Sequence, residues 1–232
     1  MKKILFYIPL IFSLIFMSCE KDNYDAPSAR LYGKLVYQGE AIHVEAHEVT
    51  FQLWEPGWQL SNSIQVDVNQ DGEYSAMLFP STYKLIIPSH QGPFRNITNT
   101  ETQSDTIIVN LGGNKEMDIE VEPYYMIRNA QFSQSGGTVS ASFGLEQIIT
   151  DEDAKSIERV NLYINTTQFV DVQSKINSAE VAGGDIADLS SVTMSVTVPE
   201  TRIDQSYVYA RVGVKMAGVE DMIFTAVQKI DL

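Results

Sequence analysis

Both tryptophans of the chain lie within one five-residue stretch, Trp54-Glu55-Pro56-Gly57-Trp58. An exposed indole ring can stack on the apolar face of a sugar, while nearby carboxylates or amides bind its hydroxyl groups. Trp54 falls at an outward position of an alternating segment, where so large a ring is unusual. The candidate ligand-binding residues are therefore Trp54, Trp58 and Glu55. The alternative is that the rings cover an edge of the fold or pack against a second domain.

A second candidate site is the segment Asp67-Val68-Asn69-Gln70-Asp71-Gly72, which begins like a calcium-binding loop. Oxygen ligands at alternate positions and a glycine at the sixth are features of the EF-hand. The twelfth position should be a bidentate glutamate, but it is Leu78. A β-hairpin turn at the Asp-Gly pair explains the segment better. If calcium bound here, its ligands would be Asp67, Asn69 and Asp71.

Catalytic groups are difficult to assemble from this sequence. His43 and His47 lie four residues apart between predicted strands, without a cysteine or glutamate at the spacing of a zinc site. The sequence has no Gly-x-Ser-x-Gly nucleophile elbow. The carboxylates at 151–153 fit a solvated loop or the start of a helix. We therefore expect a protein that is not an enzyme and that uses no cofactor and no metal.

The only cysteine, Cys19, closes an apolar leader. Residues 1–3 are basic at two positions, and residues 4–17 are almost entirely apolar. This apolar run is too short for a membrane span, and the pattern is typical of a signal peptide. The junction resembles the lipobox of bacterial lipoproteins, with the small Ser18 before the cysteine, although Phe16 stands where leucine is usual. The resemblance implies a signal peptide at 1–18 and a lipid anchor at Cys19. The alternative is a secretory leader that is cleaved elsewhere.

The segment after Cys19 is charged, and residues 20–25 read Glu-Lys-Asp-Asn-Tyr-Asp. It resembles the export signal of Bacteroidetes-type lipoproteins. This resemblance implies an acidic tether at 19–28 and a location in the outer membrane, facing the cell exterior. The net charge is -14, or about -16 without the two lysines of the leader. Such a charge argues against nucleic-acid binding and against adsorption on an anionic bilayer.

Short alternating segments fill residues 29–122, and Val49, Phe51 and Leu53 show the period of two most clearly. Seven short strands separated by turn signals predict a β-sandwich. The predicted strands are 30–37, 49–54, 64–68, 74–79, 83–87, 106–111 and 117–121.

Residues 123–232 contain further strand patterns after Pro123, and the alternation is clearest at 139–143 and 208–214. Six or seven strands predict a second sandwich of fibronectin-III or immunoglobulin type. Residues 134–137 and 217–221 read as hairpin loops, and 150–155 reads as a helical turn. The predicted strands are 127–132, 138–145, 160–165, 192–198, 207–216 and 222–230. The fold class is therefore all-β, with two sandwiches in tandem.

The first sandwich resembles the carboxypeptidase-regulatory-like, transthyretin-like domain. The likeness rests on Gly33-Lys34-Leu35-Val36, the Asp71-Gly72 turn and the segment Phe79-Pro80-Ser81-Thr82-Tyr83-Lys84-Leu85, where Ser81 replaces the usual glycine. Such domains are mostly non-catalytic. Separately, Asp105-Thr106-Ile107 resembles the O-glycosylation acceptor of Bacteroidetes, and its modification is left open.

The order of segments resembles a family of two-domain Bacteroidetes lipoproteins, in which a Val-x-Pro-Tyr junction joins a transthyretin-like to a fibronectin-like domain. Here the junction is Val121-Glu122-Pro123-Tyr124. Proteins of this kind are often encoded beside starch-utilisation-like importers. The resemblance implies a role in capturing a polysaccharide or oligosaccharide, in association with such an importer complex. The alternative is a spacer, adhesin or docking module for other outer-membrane proteins.

Overall fold

The computed structural model describes residues 25–57, 62–200 and 205–232, and the described chain is almost entirely β-strand. The first half contains strands β1 to β10, in order Ala29–Tyr37, Glu40–Ala41, Thr50–Trp54, Ile64–Asp67, Glu73–Leu78, Ser81–Ile86, Phe94–Asn96, Ile107–Leu111, Lys115–Glu116 and Ile119–Pro123. The second half contains β11 to β18, in order Tyr125–Ser135, Thr138–Gln147, Ile157–Asn165, Asn177–Ala182, Val192–Thr197, Tyr207–Met216, Met222–Phe224 and Gln228–Asp231. One short 3-10 helix spans Gly183–Asp185.

The first domain is a sandwich of two sheets. One sheet has the order β2-β1-β10-β7, and β5 and β9 also pair with β1. The other has the order β4-β3-β6-β8. The predicted inward residues Val49, Phe51 and Leu53 are all buried between these sheets. The alternation in the sequence therefore predicted this core correctly.

The second domain is also a sandwich, with a three-stranded sheet of order β11-β12-β15 facing a sheet of order β14-β13-β16-β17. Strand β18 pairs with β16, so the segment predicted as one strand over 222–230 is two strands separated by 225–227. The predicted helical turn at 150–155 is instead a turn in which Ala154 N donates to Asp151 O. The prediction of an all-β fold with tandem sandwiches is confirmed.

Strand register gives the first sandwich two distinct ends. At the free end, Ala29 pairs with Leu78 and Ser81 pairs with Leu111, while Trp54 ends β3. Strand β1 runs away from this end, and its far part pairs in parallel with β10, which leads into the second domain. A strand of nine residues is about 30 Å long. Among the described residues, the second domain joins only one end of the first domain, and the opposite end is called the free end here.

The two domains meet around the buried side chain of Arg211, which is fully inaccessible to solvent. Its Nε donates to Thr225 O at 2.9 Å, and Nη1 donates to Val170 O at 3.3 Å, both within the second domain. Its Nη2 donates across the interface to Val44 O at 3.2 Å and Gln70 O at 3.1 Å. One guanidinium therefore satisfies carbonyl groups of four separate segments.

Candidate functional site

Trp54 lies on the solvent side of the β4-β3-β6-β8 sheet, as its sequence position predicted. It pairs with Lys84 on β6, which in turn pairs with Ile108 on β8. Directly paired residues of neighbouring strands point to the same face, so these side chains form a row across the sheet. Lys84 is exposed and Ile108 is 55% exposed, whereas Trp54 is half-buried.

A hydrogen bond fixes the indole ring. Trp54 Nε1 donates to Gln52 Oε1 at 3.0 Å. Gln52 also pairs with Gln65 on β4, so an amide row runs beside the aromatic row. We call the five residues Gln52, Trp54, Gln65, Lys84 and Ile108 the Trp54 face. The sequence singled out Trp54, and Gln52 shares its face by strand alternation, but Lys84 and Ile108 join them only through strand pairing, which no single strand reveals.

The other two candidate ligand-binding residues, Glu55 and Trp58, are not part of the Trp54 face. Glu55 follows β3 and is half-buried, and its negative charge, together with burial, raises the pKa of Tyr83. Burial is the larger of these two causes. Trp58 lies outside the described residues, so the predicted pairing of the two rings stays a prediction.

The weak calcium candidate forms a tight turn. Asn69 Oδ1 accepts hydrogen bonds from Asp71 N and Glu73 N, both at 2.9 Å, so this oxygen is used within the turn. Gly72 has a φ of +78°, and a Cβ on it would lie 2.2 Å from Ile42 O. Across the part of the chain that the structure describes, no group of three or more His, Cys, Asp or Glu residues is arranged to hold a metal ion.

The domain interface holds two further polar residues, His43 and Asp221, and the sequence did not place either of them there. The backbone carbonyl of His43 accepts a hydrogen bond from Phe224 N at 2.9 Å across the interface. Burial lowers the pKa of its imidazole. Asp221 is buried, and its Oδ2 accepts a hydrogen bond from Gly92 N at 2.6 Å. Both contacts connect the two domains.

Burial is the main cause of the pKa shifts at the domain interface. Burial lowers the pKa of Arg211 to about 10, which leaves the guanidinium charged at neutral pH. Burial also raises the pKa of Glu45 to about 7, with a smaller contribution from the neighbouring Asp171. The Arg211 guanidinium lies beside an aromatic ring, with Cζ 4.3 Å from the centroid of Phe224. The interface therefore holds a cation by carbonyl and aromatic contacts.

A groove of about 470 Å³ lies on the opposite face of the first sandwich, along β1 and β5. Its aromatic residues are Tyr32 and the buried Tyr74, and the guanidinium of Arg30 lies 4.9 Å from the centre of the Tyr32 ring. Arg30 Nε donates to Ser75 Oγ at 2.8 Å, and Lys34 Nζ lies 3.0 Å from Glu73 Oε1. These polar groups therefore bind one another, and the groove is a weaker candidate than the Trp54 face.

A smaller cleft of about 230 Å³ lies between the domains, with Phe132, Phe224 and His43 in its walls. It falls below the range of about 300–1,000 Å³ that is usual for small-molecule pockets. We therefore treat the cleft as part of the domain interface.

The predicted signal peptide and the lipid anchor Cys19 lie outside the described residues, as does most of the predicted tether. Within the described ranges, no helix is both long enough and apolar enough to cross a membrane.

Comparison with known proteins identifies the family. Residues 29–122 match the family described as "Protein of unknown function (DUF3823) N-terminal domain", and residues 125–229 match "Domain of unknown function (DUF3823_C)". The crystal structure of a DUF3823 family protein from Parabacteroides merdae is 33% identical, with a TM-score of 0.77, covering 89% of this chain and 100% of the other. The chain belongs to the DUF3823 family.

A second DUF3823 protein, from Bacteroides ovatus, is 31% identical, with a TM-score of 0.78 over 88% of this chain and 100% of its own. A more distant structure from Bacteroides uniformis is 19% identical, with a TM-score of 0.68 over 89% of this chain and 100% of its own, and shares the fold. That protein is described as a candidate carbohydrate binding protein. No curated protein matched the sequence.

Proposed function

We propose that this DUF3823 protein is a non-catalytic lipoprotein of the outer-membrane surface that helps to capture a polysaccharide or oligosaccharide. The observation that carries the proposal is the Trp54 ring, fixed by Gln52 on a sheet face that also presents Lys84. A sugar ring stacked on the indole would find amide and ammonium donors within the same face.

Two further points support this function. The leader and Cys19 have the pattern of a lipid-anchored export substrate, and two or three acyl chains would hold the protein stably at a membrane. A protein of the same fold is described as a candidate carbohydrate binding protein. The importer association that the sequence resemblance implies is part of the proposal, because captured glycan must pass to an uptake system.

Affinity electrophoresis of the mature chain against a panel of polysaccharides tests the proposal. We expect retarded migration in at least one gel, and Trp54→Ala should weaken that binding about tenfold or more, because one central aromatic contact often dominates such a surface. Tyr32→Ala is the matched control, since Tyr32 is a half-buried aromatic residue on the other face of the same sandwich. Absence of binding to every glycan in the panel would contradict the proposal.

The buried domain interface favours a second candidate function, a rigid spacer or docking module for another outer-membrane protein. Arg211 connects the domains through Val44 and Gln70, which suits a module that must hold a fixed orientation. Crosslinking in intact cells followed by purification separates the two functions. Recovery of one stoichiometric outer-membrane partner, together with no glycan binding by either protein, would favour the docking module.

A further inference from the structure

The chain enters the first sandwich at the free end. Ser28 N donates to Leu78 O at 3.1 Å, and Ala29 pairs with the same residue. Ser28 follows Cys19 by only nine positions in the sequence, and nine extended residues span at most about 30 Å. An anchor on Cys19 would therefore keep the free end within about 30 Å of the bilayer, and the chain enters the first domain at the end opposite the second domain.

This same end exposes large apolar side chains. Met77, at the end of β5, is 58% exposed, and Phe79, in the turn that follows, is 41% exposed. Trp54 ends β3 at the same end of the sandwich. Tryptophan and tyrosine are enriched where a protein meets the headgroup layer of a membrane, and phenylalanine is common on the buried face of interfacial helices. The exposed apolar residues and the point of chain entry therefore coincide.

Charge distinguishes the two ends of the first domain. Near the domain interface, acidic side chains outnumber basic ones, and the cleft there is lined by Glu45, Glu48, Glu220 and Asp221 together with Arg159 and Lys215. At the free end the signs are balanced, because Arg30, Lys84 and Lys115 accompany Asp25, Glu55 and Glu116. The guanidinium of Arg30 is directed away from this end, toward Ser75 and the ring of Tyr32. Met77 and Phe79 therefore stand at an end without the excess of acidic groups found near the domain interface.

We infer that the free end of the first domain rests on the lipid bilayer, with Met77 and Phe79 in the headgroup layer. The inference depends on the lipid anchor of the proposed function. The contact is intramolecular once the anchor is inserted, so a small apolar area acts at a high effective concentration. The Trp54 face then stands beside the membrane, and the second domain projects outward.

Fluorescence quenching by brominated lipids tests this inference. The full chain is expressed in a bacterium that acylates lipoproteins, and the product is purified from membranes and placed in phosphatidylcholine vesicles with or without bromine on the acyl carbons nearest the headgroup. The fluorescence comes from the chain's two tryptophans, Trp54 and Trp58, and Trp54 lies toward the free end. We expect clear quenching of the wild type and at least about twofold weaker quenching in Met77→Ser/Phe79→Ser.

Phe169→Ser/Leu189→Ser is the control, because it removes two exposed apolar side chains from the second domain and should leave quenching unchanged. Circular dichroism verifies that each variant is folded. An acylated protein without quenching, or with equal quenching in the wild type and in Met77→Ser/Phe79→Ser, would overturn the membrane contact alone. A mass spectrum of unacylated Cys19 would overturn the anchor and the membrane contact together, while glycan binding by the soluble chain would still stand.

Discussion

The two ends of the first sandwich differ in what they bury: one buries a charged side chain, and the other leaves large apolar side chains exposed. At the domain interface, the Arg211 cation is buried and donates to carbonyl groups of both domains. At the free end, Met77 and Phe79 remain exposed. A buried charge is tolerated only where surrounding groups hold it, so the interface is built for structure. Exposed apolar side chains contribute little to folding, so the free end is where binding should be sought.

The largest effect should come from Arg211→Met. Methionine fills much of the space but leaves buried carbonyls without donors, so we expect a loss of about 3–4 kcal/mol in the free energy of unfolding. Urea denaturation measures it. Arg30→Met, at the free end, should change the same quantity by no more than about 0.5 kcal/mol. Equal effects of the two substitutions would remove the distinction between the ends.

Two glycines of positive φ provide the next test. A Cβ added to Gly72, beside the interface, would lie only 2.2 Å from Ile42 O, whereas one added to Gly39, with φ +81°, would have no atom within 4 Å. Both Ala variants should lose about 1 kcal/mol to backbone strain, and Gly72→Ala should lose roughly 2 kcal/mol more through the clash. Thermal unfolding monitored by circular dichroism compares them. Similar melting temperatures would argue against tight packing at Gly72.

The sequence predicted the cores of both sandwiches because inward residues alternate along single strands. Val139, Ala141 and Phe143 follow that pattern and are buried. Strand β14 was missed because Asn177–Ala182 is mostly small or polar and lies at a sheet edge, where little apolar pattern is required.

The interface could not be predicted in the same way. Arg211 occupies an outward position between buried Ala210 and Val212, which normally indicates a solvated arginine. It is buried because Val170 and Val44, distant in sequence, supply carbonyl groups over it. The Trp54 face was partly predictable, since parity placed Trp54 outward, but its neighbours Lys84 and Ile108 depend on strand register.

A change of pH should alter the free energy of unfolding by a smaller amount, through Glu45 at the domain interface. The folded pKa of Glu45 is raised to about 7 from an unfolded value of 4.5, so the folded state binds the extra proton between these values. Stability contributed by this group is therefore present at low pH and lost as pH rises toward 7. Glu45 is only half-buried, so we expect a change of roughly 1 kcal/mol after solvent screening. Urea denaturation at several pH values measures it, and Glu45→Gln should flatten the slope; an unchanged slope would contradict the assignment.

Adding or removing calcium should have the smallest effect on stability. Asn69 Oδ1 already accepts two backbone hydrogen bonds, so the turn forms without a metal ion. Millimolar calcium or a chelator should shift the melting temperature by less than about 1 °C, because an ion that does not bind the native state cannot stabilise it. A rise that Asp71→Asn abolishes would instead establish a calcium site at this turn.

Isothermal titration calorimetry with a polysaccharide selected by affinity electrophoresis tests the central claim most directly. The two faces of the first sandwich are compared in one series: wild type, Trp54→Ala and Tyr32→Ala. We predict that Trp54→Ala weakens binding about tenfold or more and that Tyr32→Ala leaves the affinity within about twofold. Equal affinities for wild type and Trp54→Ala, or a loss confined to Tyr32→Ala, would contradict the assignment of glycan binding to the Trp54 face.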